Sequence, residues 1–172
     1  MKKLFLLLLL PVFSFQPLDW VRVQIDERVS VEFPSEPAKK DLDGRAMWLQ
    51  DVNDATRCMI MPIDLEPFGL DSAYVASQYD TDKFLQDLEN GMVQKMPGCI
   101  VTDTKRITTN GYKGYEFFIE KEKPDESFVY KYIRIHCMFV GSKFYPLYFY
   151  EKENANAEAD RNHFFDSFSV KQ

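Results

Sequence analysis

The sequence has no cluster of lysine and arginine residues and no apolar run long enough to cross a bilayer. It contains 21 Lys and Arg residues against 27 Asp and Glu residues, a formal net charge of -6. Nucleic-acid-binding proteins need a basic stripe that neutralises phosphates, and anionic lipid likewise attracts basic segments. We therefore expect no nucleic-acid partner and no stable membrane insertion.

Metal and cofactor motifs are also missing. The two histidines, His136 and His163, show no His-x-His or His-Glu-x-x-His spacing, and there is no Cys-x-x-Cys, whereas zinc sites need three or four converging ligands. No Gly-x-Ser-x-Gly nucleophile motif is present. His136 and Cys137 are adjacent in a predicted strand, so their side chains should point to opposite faces. We predict no metal, no cofactor and no catalytic residues.

Cysteine is scarce, and the number is odd: Cys58, Cys99 and Cys137. An odd number leaves at least one thiol without an intramolecular partner. Cys58 and Cys137 lie in strand-like runs, where the simplest interpretation is that both are small buried hydrophobic residues. The alternative is a Cys58–Cys137 disulfide, which requires neighbouring strands with Cα atoms less than about 7 Å apart.

The amino-terminal segment has the pattern of a secretory signal peptide. Two lysines precede an apolar run over residues 4–15, which includes the small residue Ser14. The run is shorter than the roughly 18 residues that span a bilayer. We predict a signal peptide over 1–14, one domain over 15–172, and export to the periplasm or the extracellular medium.

The full chain has 45% hydrophobic and 15% aromatic residues, enough apolar surface for a globular domain. Apolar and polar residues alternate with period two in several segments, which indicates strands. Asn110-Gly111 and Gly141-Ser142 are two-residue hairpin signals. The predicted strands are 20–26, 29–33, 45–52, 56–63, 100–109, 112–121, 128–140, 143–150 and 167–170.

Two helices interrupt these strands. The first is predicted to begin after a cap at Asp80 or Thr81 and to end at Pro97-Gly98, because apolar residues between them recur at three- and four-residue spacing. The second is predicted over 155–166, with Asn154 as its cap. The fold class is α+β: an antiparallel sheet of about six or seven strands with two helices.

Several short motifs resemble the PsbP/Mog-like family, which includes exported DcrB-like bacterial proteins. They are Val-Ser-Val-Glu-Phe-Pro-Ser-Glu-Pro over 29–37, Gly-Tyr-Lys-Gly-Tyr-Glu over 111–116, a strand containing Arg134, Gly-Ser-Lys-Phe-Tyr over 141–145 and Phe-Phe-Asp-Ser-Phe over 164–168. The resemblance covers nearly the whole predicted domain. It implies an α/β/α sandwich with helices packed on both faces of the sheet. Family members act mainly as accessory or binding proteins, so the resemblance also favours a non-enzymatic role.

One face of the predicted sheet carries a patch of Tyr, Arg, His and Glu side chains that we consider a ligand or partner surface. Its members are Tyr130, Tyr132, Arg134 and His136 on one strand, with Glu116 and Tyr148 on neighbouring strands. Arginine recognises carboxylates and phosphates, and tyrosine adds rigid contact area. The alternative is that a helix covers this face and that Arg134 pairs with Glu116 or Glu120 across strands.

These observations predict an exported, non-enzymatic, monomeric binding or accessory protein. Its partner, a protein or a small ligand, would bind to one face or to the rim of the sheet; an exposed aromatic patch would favour this function. A small-molecule or lipid carrier is the alternative, and a pocket lined by Phe and Met would favour it. A secreted hydrolase without a recognisable motif is the third candidate, which converging carboxyl groups with raised pKa values would favour.

Overall fold

The computed structural model of the protein describes residues 19–94 and 96–171; the predicted signal peptide lies outside them. The helices are α1 (Ser72–Gln78), α2 (Asp82–Val93) and α3 (Glu158–Asp166), with a 3-10 turn at Glu66–Phe68. The strands are β1 (Val21–Gln24), β2 (Val29–Phe33), β3 (Ala38–Leu42), β4 (Arg45–Asn53), β5 (Thr56–Ile60), β6 (Ile63–Asp64), β7 (Cys99–Thr109), β8 (Tyr112–Lys121), β9 (Tyr132–Val140), β10 (Lys143–Glu151) and β11 (Ser169–Val170).

The strands form one large antiparallel sheet and one small sheet. The large sheet has the order β3-β4-β5-β10-β9-β8-β7, and the short β6 also pairs with β10. β1, β2 and β11 form a separate three-stranded sheet. The α+β class and the layered arrangement are confirmed. The small sheet was not anticipated, because single strands do not reveal which sheet they join.

Both predicted two-residue hairpin loops are present. Asn110 and Gly111, between β7 and β8, have φ values of 51° and 83°, as a type I′ turn requires. Gly141, between β9 and β10, has a φ of 65°. The Gly141-Ser142 loop sets Val140 opposite Lys143, and this register decides which side chains of β10 share a face with those of β9.

One face of the large sheet packs against α1 and α2. Its buried side chains alternate along β8 and β9, as the sequence pattern predicted. The buried side chains of the sheet are Tyr115, Phe117, Ile119, Ile133, Ile135, Cys137 and Phe139. Val75 of α1, Tyr79 at the end of α1, and Phe84, Leu85 and Leu88 of α2 pack against them. Helix α2 begins at the predicted cap, where the Thr81 hydroxyl accepts from the Phe84 backbone N–H at 3.2 Å.

The opposite face packs against α3 and the small sheet. Phe164 and Phe165 of α3 and Phe33 of β2 cover Ile60 and Phe149 in the centre of the large sheet. Because the two cores lie on opposite sides of one sheet, β9 and β10 contribute side chains to both layers. Among the described residues, none of the helices is long and apolar enough to cross a membrane.

Three details differ from the predictions. Helix α3 begins at Glu158 after Ala157, while Asn154 lies in an earlier turn with a φ of 64° instead of capping the helix. Strand β3 was not predicted, because its residues are all exposed and show no alternation.

The Cys58–Cys137 disulfide is wrong: both thiols are free. They lie on opposite faces in β5 and β9, and β10 separates those strands.

Candidate functional site

The sheet brings together four of the six residues considered a ligand or partner surface. In the register of β8 and β9, Glu116 lies opposite His136, Phe118 opposite Arg134 and Glu120 opposite Tyr132. Alternation along the strands places Glu116, Tyr132, Arg134 and His136 on the face that α3 covers. The sequence pattern therefore grouped these four residues correctly.

Close polar contacts hold Glu116, Arg134 and His136 together. Arg134 Nη1 lies 3.4 Å from Glu116 Oε1, and His136 Nε2 lies 3.7 Å from the same oxygen. Lys105 Nζ is 4.0 Å from the second oxygen, Oε2. The interaction with His136, followed by those with Arg134 and Lys105, lowers the pKa of Glu116 to about 2 against the opposing effect of burial.

Helix α3 covers part of this cluster. The Phe165 ring stacks on His136 with centroids 3.8 Å apart and an interplanar angle of 9°, and the His136 side chain is 15% exposed. The Arg134 guanidinium lies 4.5 Å from the centroid of the Phe118 ring. Arg134 Nε and His136 Nδ1 are buried and have no hydrogen-bond partner among the described residues. The Arg134–Glu116 pair is thus the cross-strand contact named as the alternative.

Tyr148 does not belong to this surface. It pairs with Ile135 across β9 and β10, so its side chain lies on the face that packs against α1 and α2. Tyr130 precedes β9 and packs against Tyr150 at 5.3 Å between ring centroids, again on that other face. Both residues were assigned to the wrong side, Tyr148 because of the register set by the short hairpin loop and Tyr130 because the strand begins only at Tyr132.

Tyr148 and its neighbour on the same face, Tyr150, form the floor of a groove that the sequence did not reveal. Tyr148 and Tyr150 stack with centroids 5.9 Å apart and an interplanar angle of 10°. Two cavities lie over this floor and share Tyr150, with volumes of about 350 Å³ and about 320 Å³. Both volumes fall within the range of roughly 300–1,000 Å³ that is typical of small-molecule sites. We call the two cavities together the methionine groove.

The walls of the methionine groove come from four regions of the chain. They are the groove side of β3–β5, the residues just after β5, the loop between β8 and β9, and the end of α2. The first cavity is lined by Lys40, Met47, Leu49, Arg57, Met59, Glu126, Ser127, Phe128, Val129, Tyr130 and Tyr150. The second is lined by Leu42, Asp43, Arg45, Met61, Ile63, Gly91, Met92, Met96, Phe144, Tyr148 and Tyr150.

Methionine is concentrated in this groove: five of the seven methionines of the chain line it. The Tyr148 hydroxyl donates to Met92 Sδ at 3.9 Å. Methionine side chains are flexible and polarisable, so they adapt to irregular apolar partners. Because the five come from three separate stretches of the chain, around residues 47, 59–61 and 92–96, no spacing in the sequence indicated that the three stretches meet.

The polar groups at the groove include neutral tyrosine hydroxyls and an arginine that is already in an ion pair. Burial raises the pKa of Tyr148, Tyr150 and Tyr130, which keeps these phenols neutral. Arg57 is held by Asp51 through two contacts of 2.7 and 3.2 Å.

Two other cations at the groove, Lys40 and Arg45, remain uncommitted. Among residues 19–94 and 96–171, neither side chain has a carboxylate partner within 4.0 Å. Both are therefore available to a negatively charged ligand.

Features of a metal or acid–base site do not appear in the part of the chain that the structure describes. No three His, Cys, Asp or Glu side chains of these residues come together in a way that could hold a metal ion. The carboxyl groups whose pKa departs from its ordinary value all have a lowered pKa, because hydrogen bonds and nearby cations outweigh the opposing effect of burial. They are Asp26, Glu32, Asp51, Glu116 and Asp125.

Comparison with known proteins identifies the fold. No family model and no curated protein matches the sequence. The solution structure of cyanobacterial PsbP (CyanoP) from Synechocystis superposes with a TM-score of 0.67 at 9% identity, over 92% of this chain and 96% of that one. The chain has a PsbP-like fold.

A second solved structure superposes on this chain less closely. A protein of unknown function from Pseudomonas aeruginosa, described as a putative regulator, matches with a TM-score of 0.50 at 12% identity, over 89% of this chain and 98% of that one. At such identities the likeness concerns the backbone, because few side chains are shared. The methionine groove is therefore interpreted from this chain's own residues.

Proposed function

We propose that this protein is an exported, non-enzymatic binding protein and that the methionine groove is its binding site. The observation that carries the proposal is the pair of adjoining cavities lined by methionine and tyrosine on one face of the PsbP-like sheet. Accessible apolar cavities of this size are the usual form of a ligand site.

The exposed half of the sheet face supports this location. The helices pack mainly on the β7–β9 half of the face, and only the end of α2 reaches the groove, whereas the groove-side residues Met47, Leu49 and Met59 remain only partly buried. Leu42, at the rim, is 49% exposed. Apolar residues grouped at the surface mark interaction sites more often than single ones do, so this half of the face is the part available to a ligand.

The Glu116, Arg134 and His136 cluster is a weaker candidate. Its carboxylate already faces Arg134, Lys105 and the His136 ring, and Phe165 covers His136. A ligand anion would have to displace Glu116 from these contacts. The five described carboxyl groups whose pKa departs from its ordinary value all have a lowered pKa, so none of them supports a hydrolase that acts through a protonated carboxyl group.

Native mass spectrometry of the protein recovered from its own secretory compartment tests the proposal. The mass of the chain would locate the cleavage site, and we expect a start at Phe15. We also expect a bound mass that dissociates on activation. A chain that retains residues 1–14 would contradict export.

A groove-blocking variant shows where that mass binds. Gly91 lines the groove, and a Cβ atom built on it meets nothing within 4 Å, so Gly91→Leu should fold and fill the cavity. Gln86→Leu, at an exposed position of the same helix, is the matched control. The bound mass should persist in Gln86→Leu and disappear in Gly91→Leu; equal retention in both variants would refute the groove as the site.

A further inference from the structure

We infer that the methionine groove binds a long-chain fatty carboxylate, with the hydrocarbon tail over Tyr148 and Tyr150 and the carboxylate at Lys40 and Arg45. This inference rests on the proposed function and specifies its ligand. It follows from the length of the groove, the chemistry of its walls and the position of its uncommitted cations.

The groove has the length of an acyl chain. It follows β10 from Phe144, in one cavity, to Tyr150, which both cavities share. Six residues of strand at about 3.3 Å each give about 20 Å. One acyl chain fills about 15 Å, half of the roughly 30 Å hydrocarbon core of a bilayer. An extended single chain therefore fits along the floor.

The walls favour hydrocarbon over a peptide. Methionine side chains adapt to a flexible aliphatic chain, and the neutral phenols of Tyr148 and Tyr150 place no charge on the floor. An extended peptide would bring backbone N–H and C=O groups against the methionine, leucine and aromatic side chains of the groove, where each group left without a partner is costly. A methylene chain has no such groups to satisfy.

The positions of Lys40 and Arg45 indicate where the carboxylate of the ligand binds. Lys40 and Arg45 lie on the two strands of the β3–β4 hairpin, at the outer edge of the sheet. Arg57 is engaged by Asp51, whereas Lys40 and Arg45 have no ion-pair partner within 4.0 Å among the described residues. Arginine recognises carboxylates bidentately. Lys40 lies opposite Met47, two residues from Arg45 on the same face of the hairpin, so it places a second positive charge near Arg45, with one cation at each of the two cavities.

Calorimetric titration of the full mature protein with decanoate, dodecanoate and tetradecanoate tests the tail. Burial of one methylene contributes roughly 0.8 kcal/mol, so affinity should rise about fourfold for each methylene added until the groove is full. Affinities that do not depend on chain length, or no saturable binding at all, would overturn the inference. Extraction of intact phospholipid from phosphatidylglycerol vesicles, without binding of free carboxylates, would overturn it in favour of a lipid source.

Charge reversal tests the head group. The double variant Lys40→Glu with Arg45→Glu should weaken tetradecanoate about tenfold or more, since it removes two charge-assisted contacts, while binding of uncharged tetradecanol stays within twofold. Lys39→Glu is the matched control, because Lys39 lies on the same strand but over the Trp48 ring on the opposite face, 4.8 Å from its centroid. An equal loss in Lys39→Glu would refute the assigned position of the carboxylate.

Failure of this inference is distinguishable from failure of the proposed function. If native mass spectrometry shows a bound mass that Gly91→Leu removes, and fatty carboxylates do not bind, the groove is a binding site for another ligand. If neither experiment shows binding that Gly91→Leu abolishes, both proposals fail together.

Discussion

Replacement of Glu116 by glutamine should destabilise the protein at neutral pH and have progressively less effect in acid. Glutamine resembles the protonated carboxyl group in shape and hydrogen bonding. It removes the negative charge that faces Arg134, His136 and Lys105. The difference in unfolding free energy between the two proteins therefore isolates the ionisation of a single group.

The magnitude follows from the pKa of Glu116. A change from the ordinary 4.5 to about 2 in the folded protein corresponds to at most about 3.4 kcal/mol. The side chain is 19% exposed, and water screens such contacts, so we expect about 1.5–2 kcal/mol at pH 7. The contribution is complete above pH 4.5 and is lost as the pH falls through about 2, because a lowered folded-state pKa stabilises only the ionised form.

Urea unfolding of both proteins at pH 7, 5, 4 and 3 measures this effect. At pH 3 about two fifths of the neutral-pH difference should remain. Glu120→Gln, on the same face of the same strand and paired with Lys131 at 2.8 Å, should cost less than about 1 kcal/mol, as surface pairs do. Equal stabilities of wild type and Glu116→Gln at pH 7, or a difference that does not shrink in acid, would refute the role assigned to the cluster.

Three further substitutions test the packing of the fold, each by urea or thermal unfolding. Gly114→Ala should destabilise by about 2 kcal/mol or more, because its Cβ would lie 2.6 Å from the Cys137 carbonyl oxygen; unchanged stability would contradict the tight approach of β8 and β9. Asp26→Asn should cost about 1.5–3 kcal/mol at pH 7, since it removes a charged acceptor that the Tyr145 hydroxyl reaches at 2.6 Å, and Tyr145→Phe should add little to it. Gly91→Ala should stabilise by about 0.5–1 kcal/mol, because helix glycine is unfavourable and the new Cβ meets nothing within 4 Å; a loss of stability would show that the position is constrained.

The register of the β9–β10 hairpin follows from the length of its loop. A two-residue loop at Gly141-Ser142 pairs even-numbered residues of one strand with odd-numbered residues of the other. Tyr148 therefore had to lie opposite Ile135, on the face opposite Arg134. Tyr148 was placed with Arg134 because alternation within one strand does not show which of its two faces coincides with a given face of the neighbouring strand.

The Cys58–Cys137 disulfide, the alternative to two buried free thiols, is wrong for a different reason. Cys58 and Cys137 both lie in buried strands, as predicted, but sequence patterns do not give the order of strands in a sheet. That order places β10 between β5 and β9, and the register turns the two thiols to opposite faces. Strand β3 was missed because its exposed Lys39 and Lys40 are typical of edge strands that avoid further pairing, and they give no apolar period.

By itself, the sequence determined the α+β class, the hairpins, the α2 cap and the grouping of Glu116, Arg134 and His136, because local alternation and turn chemistry act over a few residues. Only the tertiary structure decided where the methionines meet. Met47 and Met92 lie on different elements, and they line one groove because strand order and helix placement, which depend on packing of the whole core, bring β4 and α2 to the same sheet face.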